Sequence, residues 1–281
     1  MLEFENVSYV YGAKTPFEKI AVDNVSIKIK PGLVTGLIGH TGSGKSTLSQ
    51  MMNALIKPSS GRVLFEGKDI FDKDFDTKSM RFKVGLVFQY PEYQLFEETV
   101  RKDIAFGPKN MGLSQEDIDE RIQYAAHFTG IPDELLDKSP FELSGGQKRR
   151  VAIAGVIAMD PKILVLDEPA AGLDPKGKNE ILGKLVDFQK KRQNTMVIIS
   201  HSMEDIALYS DHIITLSNGK VLVEGTPKEV FVQNELLCKN GLAIPQVTQI
   251  LSRLKNDGYD VDDGCFTLEE AASMLVEKIQ H

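Results

Sequence analysis

Apolar and polar positions alternate along residues 2–9 and 22–30, the two-residue period of half-buried antiparallel strands. The apolar runs that follow do not alternate. Residues 33–38, 84–88, 163–166 and 196–200 are short and continuous, the pattern of strands buried on both faces. Between them the chain turns helical, over residues 46–56, 99–130, 147–159 and 176–191. Ser114, followed three residues later by Asp117, reads as a helix cap close to a capping box. Strands alternating with helices predict an α/β fold with a mainly parallel sheet and crossover helices. The mostly helical stretch 97–141 falls outside that rhythm.

Residues 213–216 and 220–224 flank Asn218-Gly219, a two-residue hairpin signal. Beyond Pro227 the strand–helix rhythm ends. Val247, Ile250, Leu251 and Leu254 recur at helical spacing, as do Leu268, Ala272, Leu275 and Ile279. Thr267 with Glu270 makes a capping box for the second set. Residues 236–281 therefore read as a folded appendage too short for a core of its own. It needs a surface to pack on, either its own body or another subunit.

Composition narrows the class. The 281 residues suffice for one large unit plus a small one, and 42% hydrophobic with 26% charged residues is a globular balance. No apolar run approaches the ~18–20 residues that cross a bilayer. The first residues, Met1-Leu2-Glu3-Phe4-Glu5, carry neither a basic nor an apolar secretion-signal region. Any membrane link is then expected to run through a partner. A net charge of -7 argues against nucleic acid as the main ligand, and Lys148-Arg149-Arg150 is too short a basic cluster to reverse that. Cys238 and Cys265 show no metal-ligand spacing and read as small buried hydrophobes, in keeping with a reducing cytoplasm.

The chemistry begins at Gly39-His40-Thr41-Gly42-Ser43-Gly44-Lys45-Ser46, which matches G-x-x-x-x-G-K-S between a predicted strand and a predicted helix. Glycines let backbone N–H groups approach a phosphate chain closely, and the helix start, Ser46-Thr47, adds its positive dipole end. Lys45 is placed to neutralise β- and γ-phosphates and Ser46 to ligate Mg²⁺. The run 163–166 delivers two carboxylates at a strand end: Asp167 for the Mg²⁺ shell, and Glu168 to polarise the attacking water. His201 follows the strand 196–200 and emerges at the same sheet edge, where it can hydrogen-bond the γ-phosphate.

A second glycine motif, Leu143-Ser144-Gly145-Gly146-Gln147, precedes the carboxylates. With the phosphate loop, Gln89, Asp167-Glu168, Ala171-Gly172-Leu173-Asp174 and His201, in this order, the chain resembles the ABC transporter ATPases over about residues 1–235. The resemblance implies a P-loop (RecA-like) cassette with an antiparallel β subdomain, a helical insert at about 97–160 and a small C-terminal helical appendage. It implies that Gln89 senses γ-phosphate and Mg²⁺. It further implies that Ser144, Gly145, Gly146 and Gln147 close over ATP held by a second ATPase subunit, and that Asp174 bridges the dimer. Tyr11 stands where such proteins stack an aromatic ring on adenine.

A finer likeness lies in Phe88-Gln89-Tyr90-Pro91-Glu92-Tyr93-Gln94-Leu95-Phe96-Glu97-Glu98-Thr99-Val100, which is similar to the same region of energy-coupling factor (ECF) transporter ATPases. Residues 105–110 and 140–155 share that similarity. Thr15-Pro16-Phe17-Glu18 and Thr41 resemble the second ATPase subunit of the family. Ala170 departs from the wider pattern, where threonine is common, and leaves the catalytic set intact. The family implies a transmembrane coupling protein and interchangeable substrate-binding membrane subunits, with this chain peripheral on the cytoplasmic face of a bacterial membrane. The partner ATPase can be identical or different, and the alternative function is the ATPase of another ABC importer, for metal ions or amino acids. A chromosome-structure ATPase would need a long coiled coil between the glycine motifs. These lie only about 100 residues apart, without heptads. Residues 91–98, with Tyr93, Leu95 and Phe96 beside Glu92, Glu97 and Glu98, read as a groove for a partner helix carrying basic residues.

Overall fold

The computed structural model describes residues 1–262 and 264–279. Strands β1 (Leu2–Tyr11), β2 (Lys19–Ile29), β4 (Ser60–Phe65) and β5 (Lys68–Asp69) form an antiparallel sheet in the order β2-β1-β4-β5. A second sheet joins β3 (Val34–Gly39), β6 (Val84–Val87), β7 (Ile163–Asp167), β8 (Thr195–Ile199), β9 (His212–Ser217) and β10 (Lys220–Gly225) in the order β10-β9-β3-β8-β7-β6. All but β10 run parallel, and β10 returns through the Asn218-Gly219 turn.

Successive side chains of a strand face opposite ways, and here both faces are covered. On β7, Leu164 and Leu166 enter the core under the helices, while Ile163 and Val165 enter the core shared with the antiparallel sheet. Met196 and Ile198 of β8 divide from Val197 and Ile199 in the same way. Double burial is why these runs are continuous in sequence.

Helix α1 (Lys45–Met52) lies between the two sheets and buries Leu48, Met51 and Met52. It stops short of the predicted end at Ile56. The Asn53 amide donates to the Val84 carbonyl and Ala54 takes the left-handed conformation (φ 55°), so the chain turns away. Short α2 (Thr77–Lys83), capped by Asp76, leads into β6. β4, β5 and α2 were not predicted: they are brief, and their apolar residues are too few to set a period.

Helices α3 (Val100–Asn110), α4 (Gln115–Thr129) and α5 (Gly145–Ile157) pack on one another through Ile104, Ile118, Ile122, Ala126 and Val151. Ser114 caps α4 by accepting from the Asp117 N–H at 3.2 Å. Helix α6 (Pro175–Arg192) crosses from β7 to β8, and α7 (Met203–Tyr209) follows β8. No helix among the described residues is long and apolar enough to cross a membrane.

The tail comprises α8 (Pro227–Phe231), α9 (Asn234–Lys239), α10 (Gln246–Asn256) and α11 (Leu268–Ile279). Leu237, Leu242 and Ile244 join the main core, and Gln246 N–H donates to Glu204 at 3.2 Å. The Thr267–Glu270 capping box forms. The predicted apolar stripes are only partly buried: Leu251 is covered, but Ile250 is 57% and Leu268 70% exposed. On α11 the buried alanine is Ala271, not Ala272. The Ile279 side chain, and residues 280–281 of the appendage, lie outside the described residues. Neither cysteine is the buried hydrophobe expected. Cys238 is exposed beside the buried Leu237 of α9, and Cys265 is half-buried.

Candidate active site

Because β3, β6, β7 and β8 run parallel, their C-terminal ends meet at one edge, where ligands of such sheets bind. Gly39, Gln89, Asp167-Glu168 and His201 all leave the sheet there. The phosphate loop turns on Ser43 N–H to His40 O at 3.1 Å, and α1 starts with Leu48 N–H to Gly44 O. Gly44 has φ 106°, and a Cβ there would lie 2.4 Å from the Ala21 carbonyl, so no other residue fits. A Cβ on Gly39 would strike Leu216 O at 2.6 Å. His40 Nδ1 lies 2.9 Å from Thr41 O, and the Asn218 N–H reaches Nε2 at 3.4 Å.

Lys45 is buried and donates to Gly39 O at 2.7 Å and His40 O at 3.1 Å. Burial pulls its pKa down, against the charges of Glu168 and Asp167, which push it up. Among the described residues its ammonium makes hydrogen bonds to backbone carbonyls alone, and Ser43 Oγ is buried without a partner. Exposed Gly42 (φ 81°) and Thr41 complete the rim. This donor set suits a phosphate chain.

Asp167 is 7% exposed, and burial raises its pKa. The Ser46 and Ser49 hydroxyls and the charges of Lys45 and His201 oppose that shift. Glu168 takes the left-handed conformation (φ 51°) as its N–H bonds Ile199 O at 3.0 Å, and this turns the side chain toward His201. Glu168 Oε1 is buried without a hydrogen bond, and His201 Nε2 approaches it to 3.5 Å. Burial, then the charge of Asp167, raises the Glu168 pKa to about 7. Burial, then Lys45, lowers that of the half-exposed His201.

Tyr11 is drawn to the same place. Its hydroxyl lies 3.2 Å from Thr47 Oγ1, and its exposed ring lines a cavity of about 150 Å³ with Gly42, Gly44, Lys45, Ser46 and Thr47. Gln89 is exposed and has no hydrogen bond among the described residues, so it is near the edge but not engaged with Ser46 or Asp167.

The second glycine motif stays apart. Ser144 caps α5 in a full capping box: its Oγ accepts from Gln147 N–H at 3.3 Å, and Gln147 Oε1 accepts from Ser144 N–H at 2.9 Å. A Cβ on Gly145 or Gly146 would meet open space. Asp174 is likewise exposed and caps α6 through Gly177 N–H at 2.8 Å. Among the described residues no hydrogen bond or ion pair joins these groups to the phosphate loop.

Sequence reasoning missed Ser49, and it did not foresee the pairing of two charged sets. Within Lys148-Arg149-Arg150, Arg149 is buried on Glu92 and Arg150 pairs with Glu180 at 3.0 Å. Glu92 is therefore not one of the free acids expected along residues 91–98, and Glu98 is bound by Lys102. A further acid in this region is Asp103. Its Oδ1 accepts from Phe96 and Glu97 N–H groups, and its buried Oδ2 has no partner. It lines an apolar groove of about 310 Å³ with Leu95, Phe96, Phe106 and Met159.

A phosphate loop, a strand-end carboxylate pair and an outward-facing LSGGQ helix on this double-sheet fold define an ATP-binding cassette of the ABC class. The ABC transporter family model matches residues 22–171. The chain is 52% identical to the energy-coupling factor transporter ATP-binding protein EcfA2 of Clostridium tetani, covering 98% of this chain and 96% of that one. It is 50% identical to that of Clostridium perfringens, covering 100% and 99%. The chain belongs to the family of energy-coupling factor transporter ATP-binding proteins. The structure is also similar to CbiO1 of Clostridium perfringens, part of the ABC transporter complex CbiONQ, with TM-score 0.74, 41% identity and coverage of 91% and 97%. A dimeric post-hydrolysis cassette bound to ADP and Pi matches with TM-score 0.73 and 28% identity, over 81% of this chain and 99% of that one.

Proposed function

We propose that this chain drives a membrane importer of the ECF type, for vitamins or other micronutrients, by hydrolysing ATP between two cassettes. The observation that carries the reading is Glu168: a buried carboxylate oxygen without a hydrogen bond, its pKa lifted to about 7, beside Lys45, Asp167 and His201. A base poised near neutral pH suits proton abstraction from a water. Glu168 takes that proton as the water attacks the γ-phosphorus, and ADP leaves. Lys45 exchanges its two carbonyl partners for the β- and γ-phosphates, while His201 Nε2 donates to the γ-phosphate. When bound, Mg²⁺ neutralises the phosphate oxygens, and Ser46, Asp167 and Gln89 are the residues that would hold it.

Ser144, Gly145, Gly146 and Gln147 contact the γ-phosphate held by a second ATPase subunit, identical or not, and Asp174 meets the partner near its site. The open space beside Gly145 and Gly146 supports this. The groove at Phe96 and Phe106 receives a helix of a transmembrane coupling protein, which in turn carries substrate-binding membrane subunits. Asp103 Oδ2 awaits a donor there. The chain would then sit on the cytoplasmic face of the membrane. Residues 1–235 form the ATPase unit, and 236–281 an appendage that holds the two ATPases together between cycles. The exposed Ile250 and Leu268 support that role.

Purification of the tagged protein from its native membrane tests the whole reading. Recovery with a second ATPase and a membrane-spanning protein, and nucleotide hydrolysis by that complex, is expected. A complex lacking any membrane-spanning subunit overturns it.

A further inference from the structure

Tyr11 and Lys19 stand directly opposite each other on the antiparallel strands β1 and β2. Opposed residues project from the same face of a sheet, so both side chains leave toward the phosphate loop. The structure shows them together: Lys19 and Tyr11 line the same cavity of about 150 Å³ with Gly42, Lys45 and Thr47. A Cβ on Gly42 would come within 3.8 Å of Lys19 Nζ, with no other atom nearer than 4 Å.

Lys19 has no hydrogen bond or ion pair among the described residues. Its surroundings make that notable, because the chain has 40 acidic residues against 33 basic ones. On the same sheet Lys28 pairs with Glu3 at 2.8 Å, and Lys220 with Asp23 on β2 at 3.2 Å. An ammonium left without a carboxylate beside an anion-binding loop raises the positive potential there.

We propose that Lys19 is a second cation of the nucleotide site, contacting the phosphate nearest the sugar. The inference rests on the reading of the phosphate loop and Tyr11 as the nucleotide site. Lys45 sits inside the loop, on the carbonyls of Gly39 and His40, and serves the far phosphates. Lys19 shares its cavity with Tyr11 and Gly42. A nucleotide stacked on Tyr11 with its terminal phosphates in the loop must run its sugar and first phosphate past the Lys19 ammonium. The ligand class is an adenine nucleotide of any phosphate length, and the two lysines divide the chain between them.

The test is equilibrium binding of ADP and AMP to the purified full chain, by calorimetry, at low and high salt. Lys19→Gln should weaken ADP and AMP by the same factor, about five- to tenfold, and the loss should shrink as salt screens the contact. Lys19→Arg should restore most of the affinity. Lys45→Ala should weaken ADP much more than AMP. Lys14→Gln, on the same hairpin, controls for the general loss of a surface charge and should leave both affinities unchanged. Matching affinities for Lys19→Gln and Lys14→Gln overturn the inference while the site stands, provided Lys45→Ala still weakens ADP. Loss confined to ADP also overturns it, since Lys19 would then lie further along the chain. A wild-type protein that binds neither nucleotide removes the site reading itself.

Discussion

Arg149 and Glu92, 57 residues apart in sequence, meet in a two-pronged ion pair, with nitrogen–oxygen distances of 3.1 and 2.9 Å. Their side chains are 4% and 16% exposed. The remaining guanidinium nitrogen donates to the Ala171 carbonyl. One side chain therefore ties together the 3₁₀ turn Pro91–Gln94, the first turns of α5 behind LSGGQ, and the loop that leads to Asp174.

Arg149→Leu leaves Glu92 buried without its cation and should cost about 3–5 kcal/mol, whereas changing both partners to apolar residues should cost less. Urea unfolding of the two single variants and the double variant measures this. A loss below about 1 kcal/mol for Arg149→Leu would show that the pair is not held as described.

Glu168→Gln should keep ATP binding and lose hydrolysis by about 10²–10⁴-fold, because the amide cannot accept the proton. Turnover near wild type removes Glu168 from the role of base. The same variant carries a stability signature in nucleotide-free, Mg²⁺-free protein. The folded pKa is raised from 4.5 to about 7, so the protonated carboxyl favours the fold and stability falls as pH rises between those values. Glutamine escapes that loss. Above about pH 7 the variant should be more stable than wild type by up to about 3 kcal/mol, and the advantage should vanish below pH 4.5. Equal stability at all pH values would contradict the burial of this carboxylate.

Tyr93→Ala with Phe96→Ala removes an 85% and a 60% exposed ring from the groove region while leaving the buried core alone. The double variant should hydrolyse ATP yet assemble poorly with the membrane partner. Retained assembly and transport would show that the partner docks elsewhere.

Deletion after Asn234 removes α10 and α11 together with Leu237, Leu242 and Ile244, which belong to the main core. Association of the two ATPases without nucleotide should fall, read by native mass spectrometry. Because the deletion also opens the core, Ile250→Asp with Leu268→Asp on the intact chain is the cleaner variant. Both residues are exposed, so folding should survive while association weakens. Unchanged association in that variant refutes a dimerising tail.

The sequence alone determined what is local. Strand–loop–helix at Gly39–Ser46, the caps at Ser114 and Thr267, the Asn218-Gly219 hairpin and the continuous runs of β3, β7 and β8 depend on neighbours a few residues away. Their geometry follows from backbone sterics and the period of burial. The order of the motifs was legible for the same reason. Tertiary structure alone decided which distant groups meet. Arg149 read as part of a basic cluster and Glu92 as part of an acidic one, and only the packing of α5 against the turn after Gln89 paired them. Lys19 lay outside the strand predicted over 22–30, and only the register of β1 with β2, shifted by irregularities between Phe4 and Val10, sets it opposite Tyr11. Helix periodicity placed a stripe on α11 but not its centre, because which face is buried depends on the neighbour it packs against, and that neighbour selected Ala271 over Ala272.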